Sequence, residues 1–453
     1  MTIGIGLLGL GTVGAGVAGI LASPSGRHPL VGELELRRVA VRDLNRPRAL
    51  ELPAELLCTD ANAVVDDPAV DIVVEVMGGL EPARSLILRA IAAGKPVVTA
   101  NKAVIARYGQ EIAAAAAAAA KGVYVLIEAA VGGGIPIIEP LKQSLGANRI
   151  QRVSGIINGT TNYILSRMAA EGAAYAEVLA DAQRLGYAEA DPAADVQGGD
   201  AADKIAILSG LAYGGPIERA AIPTEGIDRL DARDVAYAAQ LGYVVKLLAV
   251  AQHLGAANQE GGDCQLLDVR VHPTLLPKQH PLAGVHGVNN AILVEGDPVG
   301  QVMFYGPGAG AGPTASAVVA DILNIAGIRH VSGNQLQAPL DPLLAATSWR
   351  PCRLVDSSFT SHRNYVRLQT SDQPGVIGKI GTCFGEAGVS IQSIMQFEQA
   401  GGALGAGLQG LAPADAEIVV ITHEVSEARF RAALTEIAAL EEVAAVAACL
   451  RTL

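Results

Sequence analysis

Residues 3–8, Ile-Gly-Ile-Gly-Leu-Leu, run straight into Gly-Leu-Gly-Thr-Val-Gly at 9–14, and no charge follows until Arg27. A buried strand, a glycine turn and a helix start account for that order. Gly9 permits the tight turn, Gly11 lets the backbone approach a pyrophosphate, Gly14 lets the helix pack on the strand, and the helix N-terminus attracts the anion. Thr12 and Val13, inside the turn, are further candidate nucleotide contacts. The stretch is about as long as a membrane span, but its glycines and its lack of a basic flank make it a poor signal sequence. No targeting or transmembrane segment is expected.

Further strands are expected at "ELRRVAV", "DIVVEVMGG", "KPVVTANKA" and "GVYVLIEAAVGGG", separated by helical runs that include the alanine block from Ala113 to Ala120. Alternating strand and helix with apolar strands implies a doubly wound parallel α/β sheet. Arg42 and Asp43 follow the second strand, where an adenosine ribose would lie. An arginine there suits a 2′-phosphate and an acid suits a 2′-hydroxyl, so the pair favours NADP with NAD as the alternative. Thr99 and Lys102 fall at the end of a later strand, where ligands of such sheets bind; a surface lysine fits the same position.

Charge and cysteine usage narrow the class. The formal net charge of −12, from 33 Lys and Arg against 45 Asp and Glu, opposes a nucleic-acid surface. The 5 cysteines are odd in number and scattered, which disfavours zinc and a disulfide framework and fits buried thiols in a reducing cytoplasm.

The segment "GYAEADPAADVQGGDAADK" at 186–204 gathers Glu189, Asp191, Asp195, Asp200 and Asp203 about Lys204. On a helix Asp200 and Lys204 would share a face and pair, with Asp203 pointing elsewhere. Together with "TANKA" (99–103), "EAAVGGGIPII" (128–138), "GIINGTTNYIL" (155–165) and "GPGAGAGPTASAV" (306–318), this segment resembles homoserine dehydrogenase. The resemblance implies hydride transfer between NAD(P) and L-homoserine or L-aspartate 4-semialdehyde. Lys204 and Lys102 match the family's catalytic lysines, and Glu189, Asp195, Asp200, Gly159, Thr160 and Tyr187 would hold substrate. Asn158 belongs to the same glycine-threonine segment, and Asp191 and Asp203 are read as loop and helix-start acids. Gly308 and Gly310 would return the chain to the nicotinamide. Glu128 with the carbonyls of Val131, Gly133 and Ile135 matches a monovalent-cation site, such as one for Na+, for which oxygen-only ligands are suited.

Five segments are expected: a dinucleotide-binding domain (1–130), a substrate and dimerisation domain (131–305), a return segment packing on the first domain (306–335), a linker containing Trp349 (336–362), and a C-terminal domain (363–453). The last has a strand, helix, strand, strand, helix, strand order with a glycine-rich loop at 400–411, which is ferredoxin-like. Its "DQPGVIGKIGTCFGEAGVSIQSI" resembles an ACT regulatory domain, with Asp372 and Gly388 at ligand-lining positions. The resemblance implies an amino-acid effector, with threonine expected, and a homodimer or homotetramer.

Overall fold

The computed structural model describes residues 2–48, 50–119, 123–259, 262–331, 351–398 and 416–453. Trp349, the loop at 400–411 and the linker as far as 350 lie outside the described residues.

The first domain holds β1 (Ile3–Leu8), β2 (Leu34–Ala40), β3 (Leu57–Cys58), β4 (Ile72–Glu75), β5 (Val97–Thr99) and β6 (Val125–Leu126). They form one parallel sheet in the order β3-β2-β1-β4-β5-β6. Its central strands are buried on both faces, which is why they read as unbroken apolar runs. The two-residue strand β3 carries too little pattern to be expected from the sequence.

Helix Ala311–Val331 returns from the second domain and packs on helix Thr12–Ala22. Ala315, Val318 and Ile322 join the core of the first sheet, and a Cβ at Gly16 would collide with the Ala311 carbonyl. That return helix is apolar and long enough to cross a membrane, but half of the relevant window is buried inside the protein. It is a core helix by contact.

The second sheet contains β7 (Arg149–Ile156), β8 (Tyr243–Gln259), β9 (Gly262–Pro277), β10 (Asn289–Asp297) and β11 (Gly300–Pro307), followed by β12 (Cys352–Leu354), β13 (Ser361–Thr370), β14 (Ile391–Glu398), β15 (Ala416–Thr422), β16 (Val425–Ser426) and β17 (Val443–Thr452). The order is β11-β10-β7-β8-β9-β17-β13-β15-β14, with β12 beside β9 and β16 beside β13. The C-terminal domain has the expected ferredoxin-like order, and its strand β17 pairs in parallel with β9 through Arg451 and Thr452. The described part of the expected linker is therefore built structure: β12 also pairs with β9, and β13 begins at Ser361.

Side chains make the same join. Tyr365, Val419, Ile421 and Leu450 lie in one core with Ile205, Leu208 and Val235. Arg367, 2% exposed, donates to Asp234 of helix Ala232–Gln240 and to Glu417 of β15. Tyr365 donates to Asp234, while Arg233 and Tyr237 donate to Glu417. Buried thiols were expected throughout, yet only Cys264 is buried; Cys449 is exposed and Cys58, Cys352 and Cys383 are intermediate. Cys58 sits on the sheet's outer strand, where only one side is covered.

Candidate active site

Strand order in the first sheet reverses between β1 and β4, and the crevice beyond their carboxyl ends is the natural ligand site. A cavity of about 640 Å³ lies there, lined by Gly9, Gly11, Thr12, Arg42, Asp43 and the turn Val76, Met77, Gly78. Gly9 has φ 105°, and a Cβ at Gly14 would collide with the Gly9 carbonyl, so the turn requires glycine at both. A Cβ at Gly11 would meet no protein atom within 4 Å. Gly11 is also the cap of helix Thr12–Ala22, which has no side-chain cap and no acid in its first turn, so its amides are open to an anion. These residues fit a dinucleotide.

Arg46 and Arg48 line the same cavity. Sequence reasoning passed over them, although Arg42, Arg46 and Arg48 form a visible basic run after β2. Val13 packs instead into the sheet core. Thr99 was expected at the cofactor, but its buried hydroxyl donates to Glu75 (2.6 Å) and accepts from the Asn101 amide (3.0 Å). Gly310 has φ 126° and turns the chain into the return helix.

Asn101 starts the helix Lys102–Ala118: its side chain accepts from the Val104 amide and donates to the Gly79 carbonyl at 2.8 Å. Lys102 is thereby held at the helix start beside the cleft. The facing helix is Gly199–Tyr213, whose Asp200 and Lys204 are 6% and 8% exposed. Asp200 Oδ2 accepts from Lys204 Nζ at 2.7 Å, and Asp200 Oδ1 pairs with Lys102. One carboxylate thus lies between two ammonium groups from different domains.

Further bonds hold this group together. Lys204 Nζ donates to the Ile157 carbonyl at 2.7 Å. Asn158 Nδ2 donates to both Asp200 (3.0 Å) and Asp195 (2.7 Å), and Asn158 Oδ1 caps the helix Gly159–Glu171 at the Thr161 amide. Burial alone would raise the Asp200 pKa, but the Lys204 and Lys102 charges hold it well below the usual carboxylate range. Burial pulls Lys204 down against the Asp200 attraction, with the Lys102 charge adding to the fall. For Lys102 burial also acts downward, yet Asp200 outweighs it and the net shift is upward. Asp195 is raised by burial, opposed by its Asn158 bond.

The remaining expected substrate residues make the following contacts. Glu189 is exposed, and among the described residues its side chain has no hydrogen bond or ion pair. Tyr187 is 45% exposed, with its ring 5.0 Å from that of Tyr163. The Thr160 hydroxyl, expected to face ligand, donates to the Tyr187 carbonyl at 2.6 Å and ties down the acidic segment. A Cβ at Gly159 would press on the Val288 carbonyl. Asp191 caps the Ala193 amide. Asp203, read as a helix-start acid, is 7% exposed and bonded to Arg107 and Arg219; its partners lie far along the chain, beyond any local pattern.

The Glu128 carboxylate is buried and accepts from the amides of Ile137, Ile138 and Glu139. Its own amide donates to Asp321, a buried acid whose Oδ1 has no hydrogen-bond partner among the described residues. Burial raises both acids, in Glu128 against its three amide bonds. Val131, Gly133 and Ile135 complete this buried loop, in which Gly133 has φ 58°. Carboxyl and carbonyl oxygens are the ligand type of a hard cation, but here the Glu128 oxygens already accept three amides, and no cluster of three acidic, histidine or cysteine side chains able to hold a metal is found among the described residues. In the C-terminal domain Asp372 accepts from Gln396 at 2.9 Å, and Gly388 has φ 70°.

Three family models match the chain: "Homoserine dehydrogenase, NAD binding domain" over 9–127, "Homoserine dehydrogenase" over 136–323, and "ACT domain" over 364–442. A homoserine dehydrogenase of Synechocystis sp. is 56% identical over 453 residues, covering 100% of both chains. The crystal structure of a homoserine dehydrogenase from Thiobacillus denitrificans aligns with a TM-score of 0.86 at 42% identity, covering 100% of this chain and 98% of the other. A hyperthermophilic archaeal homoserine dehydrogenase in complex with NADPH aligns with a TM-score of 0.58 at 28% identity, covering 72% of this chain and 98% of the other.

Proposed function

The chain belongs to the homoserine dehydrogenase family, and from that premise we propose how its residues carry the interconversion of L-homoserine and L-aspartate 4-semialdehyde. The observation that carries the reading is the sharing of the Asp200 carboxylate between Lys102 and Lys204. The bound nicotinamide supplies or takes up the hydride. In the reducing direction the substrate carbonyl oxygen gains negative charge, and ammonium groups fixed beforehand stabilise it without reorganising. Lys102, its side chain 40% exposed, polarises that oxygen. Lys204 spends two of its three N–H groups on Ile157 and Asp200 and gives the third proton to the oxygen. In the oxidising direction the neutral Lys204 amine takes the alcohol proton.

Glu189 and Asp195 receive the substrate amine, with Tyr187 beside them, and backbone amides at Gly159 and Thr160 receive its carboxylate. Asp200 acts by holding both lysines. Arg42, Arg46 and Arg48 about one end of the nucleotide cavity favour the 2′-phosphate of NADP over NAD, and the archaeal relative is in complex with NADPH. A spectrophotometric assay with homoserine is expected to give a lower KM for NADP than for NAD, and Arg42→Ala is expected to narrow the gap. Equal KM values in the unmodified enzyme would remove the NADP assignment. Excess threonine in the same assay is expected to inhibit through the ACT domain near Asp372 and Gly388; full activity would remove that effector.

A monovalent cation such as Na+ would be held by Glu128 and the carbonyls of Val131, Gly133 and Ile135, in a structural role. A melting temperature indifferent to exchanging Na+ for a bulky organic cation would count against it. The exposed Met303 and Tyr305 on the outer strand β11 support assembly as a homodimer or homotetramer, and light scattering at 46.3 kDa would rule that out. Cysteines that form no disulfide among the described residues support a reducing, cytoplasmic setting, which fractionation tests.

A further inference from the structure

Lys102–Asp200 is one of two ion pairs that cross from helix Lys102–Ala118 to helix Gly199–Tyr213; the other is Arg107–Asp203, with Arg107 Nη1 3.2 Å from Asp203 Oδ2. Asp203 is buried and its two oxygens are divided. Oδ1 accepts from Arg219 Nε at 2.7 Å, and Arg219 Nη2 donates to the Gly199 carbonyl at 3.2 Å. Arg219 therefore anchors Asp203 within its own domain, and Arg107 is the hand reaching over from the other. Arg107 also donates to the Ala103 carbonyl, beside Lys102.

The two helices touch, with Ile105 and Ala106 packed on the core that holds Ile205 and Ala206, but their contact is incomplete. Between them lies a cavity of about 740 Å³, whose lining includes Ile105, Ile112, Ala206, Ile207, Leu211 and Ile217. The cavity opens to solvent, so along that side no interdigitated side chains from the opposite helix fix the separation. Arg107–Asp203 bridges the helices at the edge of that cavity, on the side toward Lys102 and Lys204. Asp203 is the residue immediately before Lys204, and Asp200 lies three positions earlier on the same helix, so the two rungs are one device.

We propose that Arg107 and Asp203 are positioning residues, whose ion pair across the domain cleft holds Lys102 on the Asp200 carboxylate in register for the reaction. The proposal rests on the two-lysine reading above. Against burial, which lowers Lys102, the negative charge of Asp203 adds to the larger raising effects of Asp200 and Asp195.

A misplaced catalytic group lowers the rate far more than it lowers binding. Arg107→Ala is expected to reduce kcat by roughly tenfold or more, with the KM for homoserine and for cofactor within about twofold. Arg107→Lys, which retains a cation for Asp203, is expected to recover most of that loss. In a Lys102→Ala background, Arg107→Ala is expected to cost nothing further, because residues acting through one group are non-additive. Arg107 is itself partly exposed, so its replacement leaves the fold intact even where Asp203→Asn does not. An equal loss from Arg107→Ala with and without Lys102 would overturn the positioning role while leaving the two-lysine reading standing, as would an unchanged kcat in the single variant. No loss from Lys102→Ala alone would overturn both.

Discussion

Lys204→Ala is expected to lower kcat for homoserine oxidation by about 10²–10⁴-fold, the range usual for loss of a general acid or base, with a much smaller change in KM. The reason is positional: Lys204 is buried against Ile157 and Asp200, so its ground-state contacts are with the protein. The pH dependence gives the sign. Oxidation needs the neutral amine, and burial lowers the Lys204 pKa from its ordinary value of 10.5. The rate should therefore rise with pH and level off below that value, while reduction of the semialdehyde, which needs the ammonium, falls over the same interval. Lys204→Ala should lose this limb. A variant that kept both the rate and the limb would shift the proton role to Lys102.

Arg367→Ala is expected to destabilise the whole chain by about 3–5 kcal/mol, the usual cost of stripping one partner from a buried ion pair. Asp234 and Glu417, each 1% exposed, both lean on that guanidinium. Asp234 has no other cation within hydrogen-bonding distance among the described residues, although Tyr365 also donates to it. Urea denaturation followed by circular dichroism measures the change, with Lys379→Ala as a control: that lysine pairs with Glu442 on the surface and should matter little. Because β17 continues the sheet at β9 and the clamp joins β13 and β15 to helix Ala232–Gln240, the loss should appear in catalytic and C-terminal regions together. A midpoint close to that of the unmodified protein would mean that the clamp is solvated.

The same clamp stands at one end of a run of contacts. Helix Ala232–Gln240 packs on helix Gly159–Glu171, whose cap is Asn158. Asn158 bonds Asp195 and Asp200. A physical chain of contacts therefore links the ACT sheet to the lysine pair.

Much of this could be read residue by residue. The glycines at 9, 11 and 14 announce their turn because strand, turn and helix are contiguous and each glycine answers a local steric demand. Asp200 and Lys204 could be paired on paper because four residues on a helix return to the same face. The hydroxyl partners of Thr160 and Thr99 could not be read for the converse reason. A hydroxyl's partner is whichever acceptor the fold brings near, and the carbonyl of Tyr187 and the carboxylate of Glu75 claimed them. Val13 stood in the right motif but pointed into the core. The join between β9 and β17 rests on a short register with no local signature.

Local chemistry in the chain was thus enough for the doubly wound sheet, the nucleotide turn, the ferredoxin-like tail and the acid-lysine pair, because each depends on neighbours within a few residues or on a repeating period. The meeting of Lys102 with Asp200, the capture of Asp203 by Arg107 and Arg219, and the welding of the C-terminal sheet through Arg367 arose only when distant segments were packed together. Side-chain charge is written in the sequence. Which opposite charge it meets once buried is set by the packing of whole elements, and that is a property of the folded chain.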